Sequence, residues 1–227
     1  MEIKFYCQDA RKPFLEPDSV DLFLTHPPFL NRLVAEYGGD LSSQIQNSDT
    51  VENFAKSISD VVGNMETALR DSGAILLILP NTRTFFHIVK FIIQNTNLVI
   101  NRDIIWNFEQ SEYINELSGS EINHILYITK NKDVTHQIKN LKSLVIDQNW
   151  TTFDNFDSLP EKMIEELILV FSKEGDVVAD PMGGTGTVAA VSLKNNRKAI
   201  YNDVSPLQVD LAKKRLYDTI GYKEILD

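Results

Sequence analysis

The sequence predicts an open, mostly parallel α/β sheet with helices packed on both faces. Three observations predict it. Short continuous apolar runs such as VDLFLT (20–25) and AILLIL (74–79) read as buried strands. Segments between such runs carry apolar residues at helical spacing. Finally, VVADPMGGTGT (177–187) takes a buried strand through a Gly-rich turn into a helix.

The elements follow in order. Ile3 to Tyr6 alternate weakly as a short strand, and a turn runs through Asp9 to Pro17. Val20 to Thr25 form a strand closed by Pro27 and Pro28, which cannot donate to a ladder. Residues 30–50 are rich in Gly, Ser, Asn and Asp and read as an exposed loop with a short helix at its start. From Thr50 to Leu69, Val51, Phe54, Ala55, Ile58, Val61, Val62, Met65 and Leu69 mark one helix face, and Arg70 to Gly73 stop it.

Ala74 to Leu79 is a strand ending at Pro80, and Thr84 to Gln94 again has helical spacing. Asn101 to Phe108 and Ile122 to Thr129 read as an antiparallel pair around the acidic stretch EQSEYINELSGS. Residues 130–158 have little periodicity and read as connecting structure. Pro160 opens a helix through Phe171 that Gly175 stops. A strand at 176–179, a helix at 188–194, a strand at 198–202 and a helix at 206–217 with Ser205 as N-cap complete the plan.

The 227 residues suit one core, so a single domain over 1–227 is expected. No apolar stretch reaches the length of a membrane span, and MEIKFYCQDARK lacks the order of a signal peptide. One cysteine, Cys7, excludes an internal disulfide and a Cys-based metal site. A cytoplasmic protein with no metal is the expectation. The net charge of −10 argues against generic nucleic-acid binding. Local basic groups occur at Lys139/Lys142, Lys194/Arg197/Lys198 and Lys213/Lys214/Arg215; the last lies on a helical pattern and reads as a solvated face.

In DPMGGTGT the glycines let the backbone turn sharply and let a ligand approach the helix N-terminus. The next strand ends at Asp203, whose carboxylate can accept from both hydroxyls of a ribose. The pattern predicts a nucleoside-bearing cofactor; the alternative is a tight strand-to-helix junction. No Gly-Lys-Ser/Thr follows, which excludes a P-loop, and the late position disfavours a Rossmann dehydrogenase. The C-terminal βαβα unit lacks its next strand, and a circularly permuted order supplies it from the N-terminus. Asp9 then lies beside Asp203 on the carboxyl edge of the sheet.

With these residues in view, the chain resembles the amino-directed DNA methyltransferases of the permuted, beta-type motif order. The opening FYCQDA, DSVDLFLTHPPF (18–29), LPEKMIEELI (159–168) and GDVVADPMGGTGT (175–187) carry the resemblance. It implies a seven-stranded, mostly parallel methyltransferase sheet with the pair 101–108 and 122–129 at an antiparallel edge. It implies S-adenosylmethionine held by Asp180, Pro181, Met182, Gly183, Gly184, Thr185, Gly186 and Thr187, with the ribose at Asp203 and the adenine amine at Asp9 and Ala10.

The resemblance also makes His26, Pro27, Pro28 and Phe29 the reaction centre. In the family an Asp, Asn or Ser precedes Pro-Pro and accepts from the exocyclic amine of the target base, the first proline carbonyl accepts a second bond, and the aromatic residue stacks on the flipped base. Here His26 is the side-chain acceptor. A neutral imidazole accepts one hydrogen bond and an imidazolium none, so activity carried by His26 falls as the ring protonates. The implied substrate is DNA, N6 of adenine ahead of N4 of cytosine. A non-catalytic subunit that binds cofactor or a partner enzyme, and an RNA amino methyltransferase, stay open. Residues 30–50 and 108–158 are the segments for target recognition, and a homodimer or a basic protein is the expected partner.

Overall fold

The computed structural model describes residues 2–30, 44–108, 122–134, 136, 141, 145–154 and 156–221. The short helix expected at the start of 30–50, and the whole acidic stretch 109–121 after Phe108, lie outside them.

Among the described residues ten strands form in chain order: β1 (Ile3–Tyr6), β2 (Val20–Thr25), β3 (Leu69–Pro80), β4 (Val99–Asn107), β5 (Ile122–Thr129), β6 (Val145–Asp147), β7 (Thr151–Phe153), β8 (Phe156–Ser158), β9 (Val177–Asp180) and β10 (Lys198–Asn202). Five helices accompany them: α1 (Val51–Ala68), α2 (Arg83–Asn95), α3 (Glu161–Phe171), α4 (Thr187–Lys194) and α5 (Pro206–Ile220). The main sheet has the order β1-β10-β9-β2-β3-β5-β4-β6. β1 pairs parallel with β10, which joins the first strand of the chain to the last as the permuted order requires.

The seven expected strands are all present and an eighth, β6, extends the sheet by pairing parallel with β4. β4 is therefore not an edge strand, and β5 is the one that runs against its neighbours β3 and β4. Residues 130–158 also hold the hairpin β7–β8. Strands of three residues are too short to leave a periodic pattern, which is why this region read as connecting structure.

Arg70 to Gly73 do not end the helix in a turn. The chain passes from Ala68 straight into extended backbone at Leu69. Pairing then jumps from Val20↔Leu69 to Leu22↔Ala74, so four residues bulge beside the single Asp21. Arg70 holds the bulge by donating to the Asp21 carboxylate and the Asp18 carbonyl, and a Cβ at Gly73 would lie 2.7 Å from the Asp21 carbonyl.

Strand alternation divides the core. Phe23, Ile75, Leu77, Leu126 and Ile128 pack under α1 and α2. Leu22, Leu24, Leu76, Ile78, Trp106, Ile125 and Tyr127 pack on α3. The faces of α4 and α5 close over β10 through Ala189, Leu193, Tyr201, Ala212 and Leu216. Thr50 caps α1 by accepting from Asn53 N, and Ser205 caps α5 by accepting from Gln208 N. Among the described residues no helix is long and apolar enough to cross a membrane.

Candidate functional site

The carboxyl ends of β1, β2, β9 and β10 open into one cavity, lined by Asp9, His26, Asp180, the Gly-rich turn and Asp203 among others. Its floor is the turn between β9 and α4. Gly184 and Gly186 have φ of +48° and +78°, the left-handed region that glycine reaches without strain. A Cβ at Gly183 would stand 2.4 Å from the Tyr201 ring, and one at Gly186 would stand 2.7 Å from the Ala212 Cβ. The turn is closed by Gly183 N donating to the Asn202 carbonyl (2.8 Å) and Tyr201 OH donating to the Gly184 carbonyl (2.7 Å). Space demands glycine at 183, conformation demands it at 184, and both demand it at 186.

Asp203 lies at the end of β10 beside this turn and accepts from Gly184 N (3.0 Å) and Ser205 N (2.9 Å). Burial pushes its carboxyl up to about 6, against the pull of the Ser205, Gly184 and Val204 N–H groups. Asp180 is 3 % exposed, and Oδ1 accepts both from Thr25 Oγ1 (2.7 Å) and from Met182 N (3.2 Å). Burial raises it further, to about 7. Both carboxyls are poised to gain from a cationic or hydrogen-bond-donating ligand.

Asp9 and Ala10 line the same cavity. The Asp9 carboxylate is held from its own loop: Arg11 Nε donates to Oδ1 (2.9 Å) and its NH2 donates to Oδ2 (2.7 Å). Burial raises the Asp9 carboxyl, but the Arg11 hydrogen bonds and charge outweigh it and hold it below the ordinary value.

Asn202 was not singled out in the sequence, yet it organises this edge. Its Nδ2 donates to the Gln8 carbonyl (2.9 Å) and the Pro181 carbonyl (2.9 Å), and its Oδ1 accepts from Gln8 N (3.0 Å). One fully buried amide thus ties the ends of β1, β9 and β10 together. A polar residue ending the apolar run AIYN was the available cue.

Arg215 corrects the expectation of a solvated basic face. It is 3 % exposed, and NH1 donates to Ser158 Oγ (2.8 Å), to Thr185 Oγ1 (3.2 Å) and to Thr187 Oγ1. It fastens β8 to the Gly-rich turn and the first turn of α4. Lys214 pairs with Asp154 (2.8 Å), Lys194 with Glu161 (2.9 Å) and Lys198 with Glu2 (2.8 Å), while Arg197 is buried against Ser172. Gln44, Ile45 and Gln46 are also buried and line the cavity, which corrects their reading as exposed loop.

His26 stands where β2 ends. Its ring meets Phe29 edge-on at 5.2 Å and Trp150 edge-on at 5.3 Å. His26 and Pro28 line the cavity of the Gly-rich turn; Pro27, Pro28 and Phe29 line a neighbouring one with Phe54, Leu79 and Arg83. Thr25, one step back along the strand, points to Asp180 and is fully buried.

The residues fit S-adenosylmethionine on two counts. The cavity wall carries Asp9, Asp157, Asp180 and Asp203 but no Lys or Arg among the described residues, which suits a sulfonium. Gln208 lines it at 3 % exposure, with Oε1 buried and no hydrogen-bond partner among the described residues, as an acceptor for a ligand N–H or O–H. No cluster of His, Cys, Asp or Glu suited to a metal occurs among the described residues.

Residues 20–214 match the model of a DNA methylase family that spans N6 and N4 methylases. The chain is 26 % identical to the type II methyltransferase M.HpaI of Haemophilus parainfluenzae over 95 % of its own length and 74 % of that relative's. In fold it matches the PvuII cytosine-N4-specific DNA methyltransferase, with a TM-score of 0.76 at 15 % identity over 95 % of this chain and 86 % of that one. A complex of M1.HpyAVI with S-adenosylmethionine matches with a TM-score of 0.66 at 20 % identity over 94 % and 98 %.

Proposed function

Because the chain belongs to the N6/N4 DNA methylase family, we propose that it transfers a methyl group from S-adenosylmethionine to the exocyclic amine of a base in DNA. The observation that carries the proposal is the single cavity that His26 and Pro28 share with the Gly-rich turn and Asp203. Acceptor and cofactor wall meet there, at the carboxyl edge of the sheet.

When bound, the cofactor supplies a methyl group already activated by its sulfonium. The turn from Asp180 to Thr187 and the Asp203 carboxylate would hold it, with Asp9 and Ala10 at the adenine end. His26, as a neutral imidazole, accepts a hydrogen bond from the target amine, and the Pro27 carbonyl accepts the other. Two acceptors fix the amine so that its nitrogen lone pair faces the methyl donor, and positioning in a water-poor pocket lowers the barrier.

Charge favours a second feature, a cationic partner for DNA. The net charge is −10, and the stretch 109–121 between β4 and β5 carries four glutamates and no Lys or Arg. Phosphate contacts need cations, and the cavity wall carries no Lys or Arg among the described residues. A basic subunit would supply them.

The test is digestion to nucleosides of unmethylated DNA, and separately of RNA, after incubation with the protein and isotopically labelled cofactor. Mass analysis should find labelled N6-methyladenine or N4-methylcytosine in DNA, and it reads which. Label in RNA alone gives the RNA reading. Cofactor binding without label in either polymer, with or without added basic partner, overturns catalysis and leaves the non-catalytic subunit.

A further inference from the structure

On the reading that a DNA base enters beside His26, we propose that Trp150, and not Phe29, is the aromatic wall of the target-base pocket, and that its indole N–H donates to that base. Phe29 is 8 % exposed and faces the neighbouring cavity with Phe54 and Leu79, so most of its ring is committed to packing. Trp150 is only half-buried and lines the cavity that holds His26 and the Gly-rich turn. The two aromatic rings bracket the imidazole edge-on, at 72° and 82°.

Trp150 is also braced as a binding surface must be. Behind it stands Trp106, fully buried, with centroids 4.7 Å apart. Trp106 Nε1 donates to the Gln148 carbonyl at 2.6 Å and so anchors the chain two residues before Trp150. On the other side Thr151 Oγ1 donates to the Ser158 carbonyl at 3.0 Å and fixes the start of the β7–β8 hairpin. The ring is therefore held from both flanks, which lowers the entropic cost of presenting it to a ligand.

Its hydrogen bonding points the same way. Trp106 has its partner, whereas Trp150 Nε1 is buried with none among the described residues. A buried indole N–H without a partner costs free energy unless a ligand acceptor satisfies it. A nucleobase brings a flat ring for the indole and a ring nitrogen or carbonyl acceptor for the N–H. An aliphatic or peptide substrate brings only one of the two.

The experiment compares Trp150→Leu, Trp150→Phe and Phe29→Leu with the unaltered chain in three measurements: cofactor affinity by calorimetry, kcat/KM for unmethylated DNA, and tryptophan emission on titration with a single-stranded oligonucleotide of mixed sequence. Base stacking on an aromatic ring corresponds to about ten- to hundredfold in affinity, so Trp150→Leu should lower kcat/KM by that factor. Its cofactor affinity should stay within about twofold. Trp150→Phe should fall between the two, because it keeps the ring and loses the N–H. Phe29→Leu should lower stability more than kcat/KM. The oligonucleotide should quench emission in the unaltered chain and not in Trp150→Phe.

Equal kcat/KM in Trp150→Leu, or a parallel loss of cofactor affinity, overturns the inference and leaves the methylase reading standing. If the unaltered chain methylates nothing, the methylase reading fails, and the emission titration still decides: Trp150-dependent quenching supports the base wall and its absence refutes it.

Discussion

Thr25 and Asp180, 155 positions apart in the chain, share a 2.7 Å hydrogen bond that joins the strand leading to His26 to the strand leading to the Gly-rich turn. This contact sets the end of β2 and the start of the Gly-rich turn against one another. Removing it with the near-isosteric Thr25→Val leaves Asp180 with Met182 N as its remaining donor. The expected cost is about 1–3 kcal/mol, read by urea unfolding at neutral pH. Turnover should fall more than cofactor affinity.

The raised carboxyls set a pH dependence with a definite sign. Asp180 and Asp203 move from 3.8 to about 7 and about 6 in the folded chain, so the native state binds more protons than the unfolded one across that window. Stability of the cofactor-free protein should therefore fall as pH rises from about 4 to about 7, with a limiting slope of about 1.4 kcal/mol per pH unit for each group between its unfolded and folded values. Asp180→Asn keeps an acceptor oxygen for Thr25 and should flatten part of this slope. Unfolding midpoints at pH 5 and pH 8 measure it. Cofactor affinity should move the other way and strengthen as pH rises through about 6, when Asp203 ionises.

A methyl group on either of two glycines should cost binding. In Gly183→Ala the new Cβ meets the fully buried Tyr201 ring, and in Gly186→Ala it meets Ala212 at a left-handed φ. Each should destabilise the fold by about 1–3 kcal/mol and weaken cofactor binding in calorimetry. An equivalent change at the exposed Gly221, with φ +64° but open space around it, should leave cofactor affinity unchanged.

Asn202→Leu is predicted to free the Gln8 and Pro181 carbonyls and Gln8 N from their buried partner. The cost should be roughly 2–4 kcal/mol in urea unfolding. Cofactor affinity should fall with it, because Asp203 is the next residue.

At the proposed reaction centre, His26→Ala should reduce methyl transfer on the order of a hundredfold, the scale of a lost positioning group, with cofactor affinity retained. His26→Asp should recover much of that loss by restoring a side-chain acceptor. Labelled methyl transfer to DNA measures both. Equal rates in the unaltered chain and His26→Ala would remove His26 from the chemistry.

Much of this was legible because chemistry-bearing residues sit at strand ends, where proline and glycine punctuate the sequence. THPPF and DPMGGTGT both announce a strand end and the residues presented there. What escaped sits where local pattern is weak. Trp150 lies between two three-residue strands, and nothing in LVIDQNWTTF marks its neighbourhood as part of the sheet. Arg215 was read with Lys213 and Lys214 as one charged face, although Gln208, Ala212 and Arg215 fall on the buried side of α5. A run of like charges on a helix spans more than one face, so the residues must be separated by their angle before their burial is inferred.

The sheet order has a consequence for how the molecule is made. As the chain emerges from the ribosome, β1 and β2 appear early, but the two positions between them belong to β10 and β9. The first strand therefore waits without its sheet neighbour until residue 198 has been synthesised. The two positions between β1 and β2 are the last to be filled, and a gap of such long-range pairings slows folding and exposes strand edges meanwhile. The segment that closes this gap is also the one that carries the Gly-rich turn, so completion of the fold and formation of the cavity floor are a single late event.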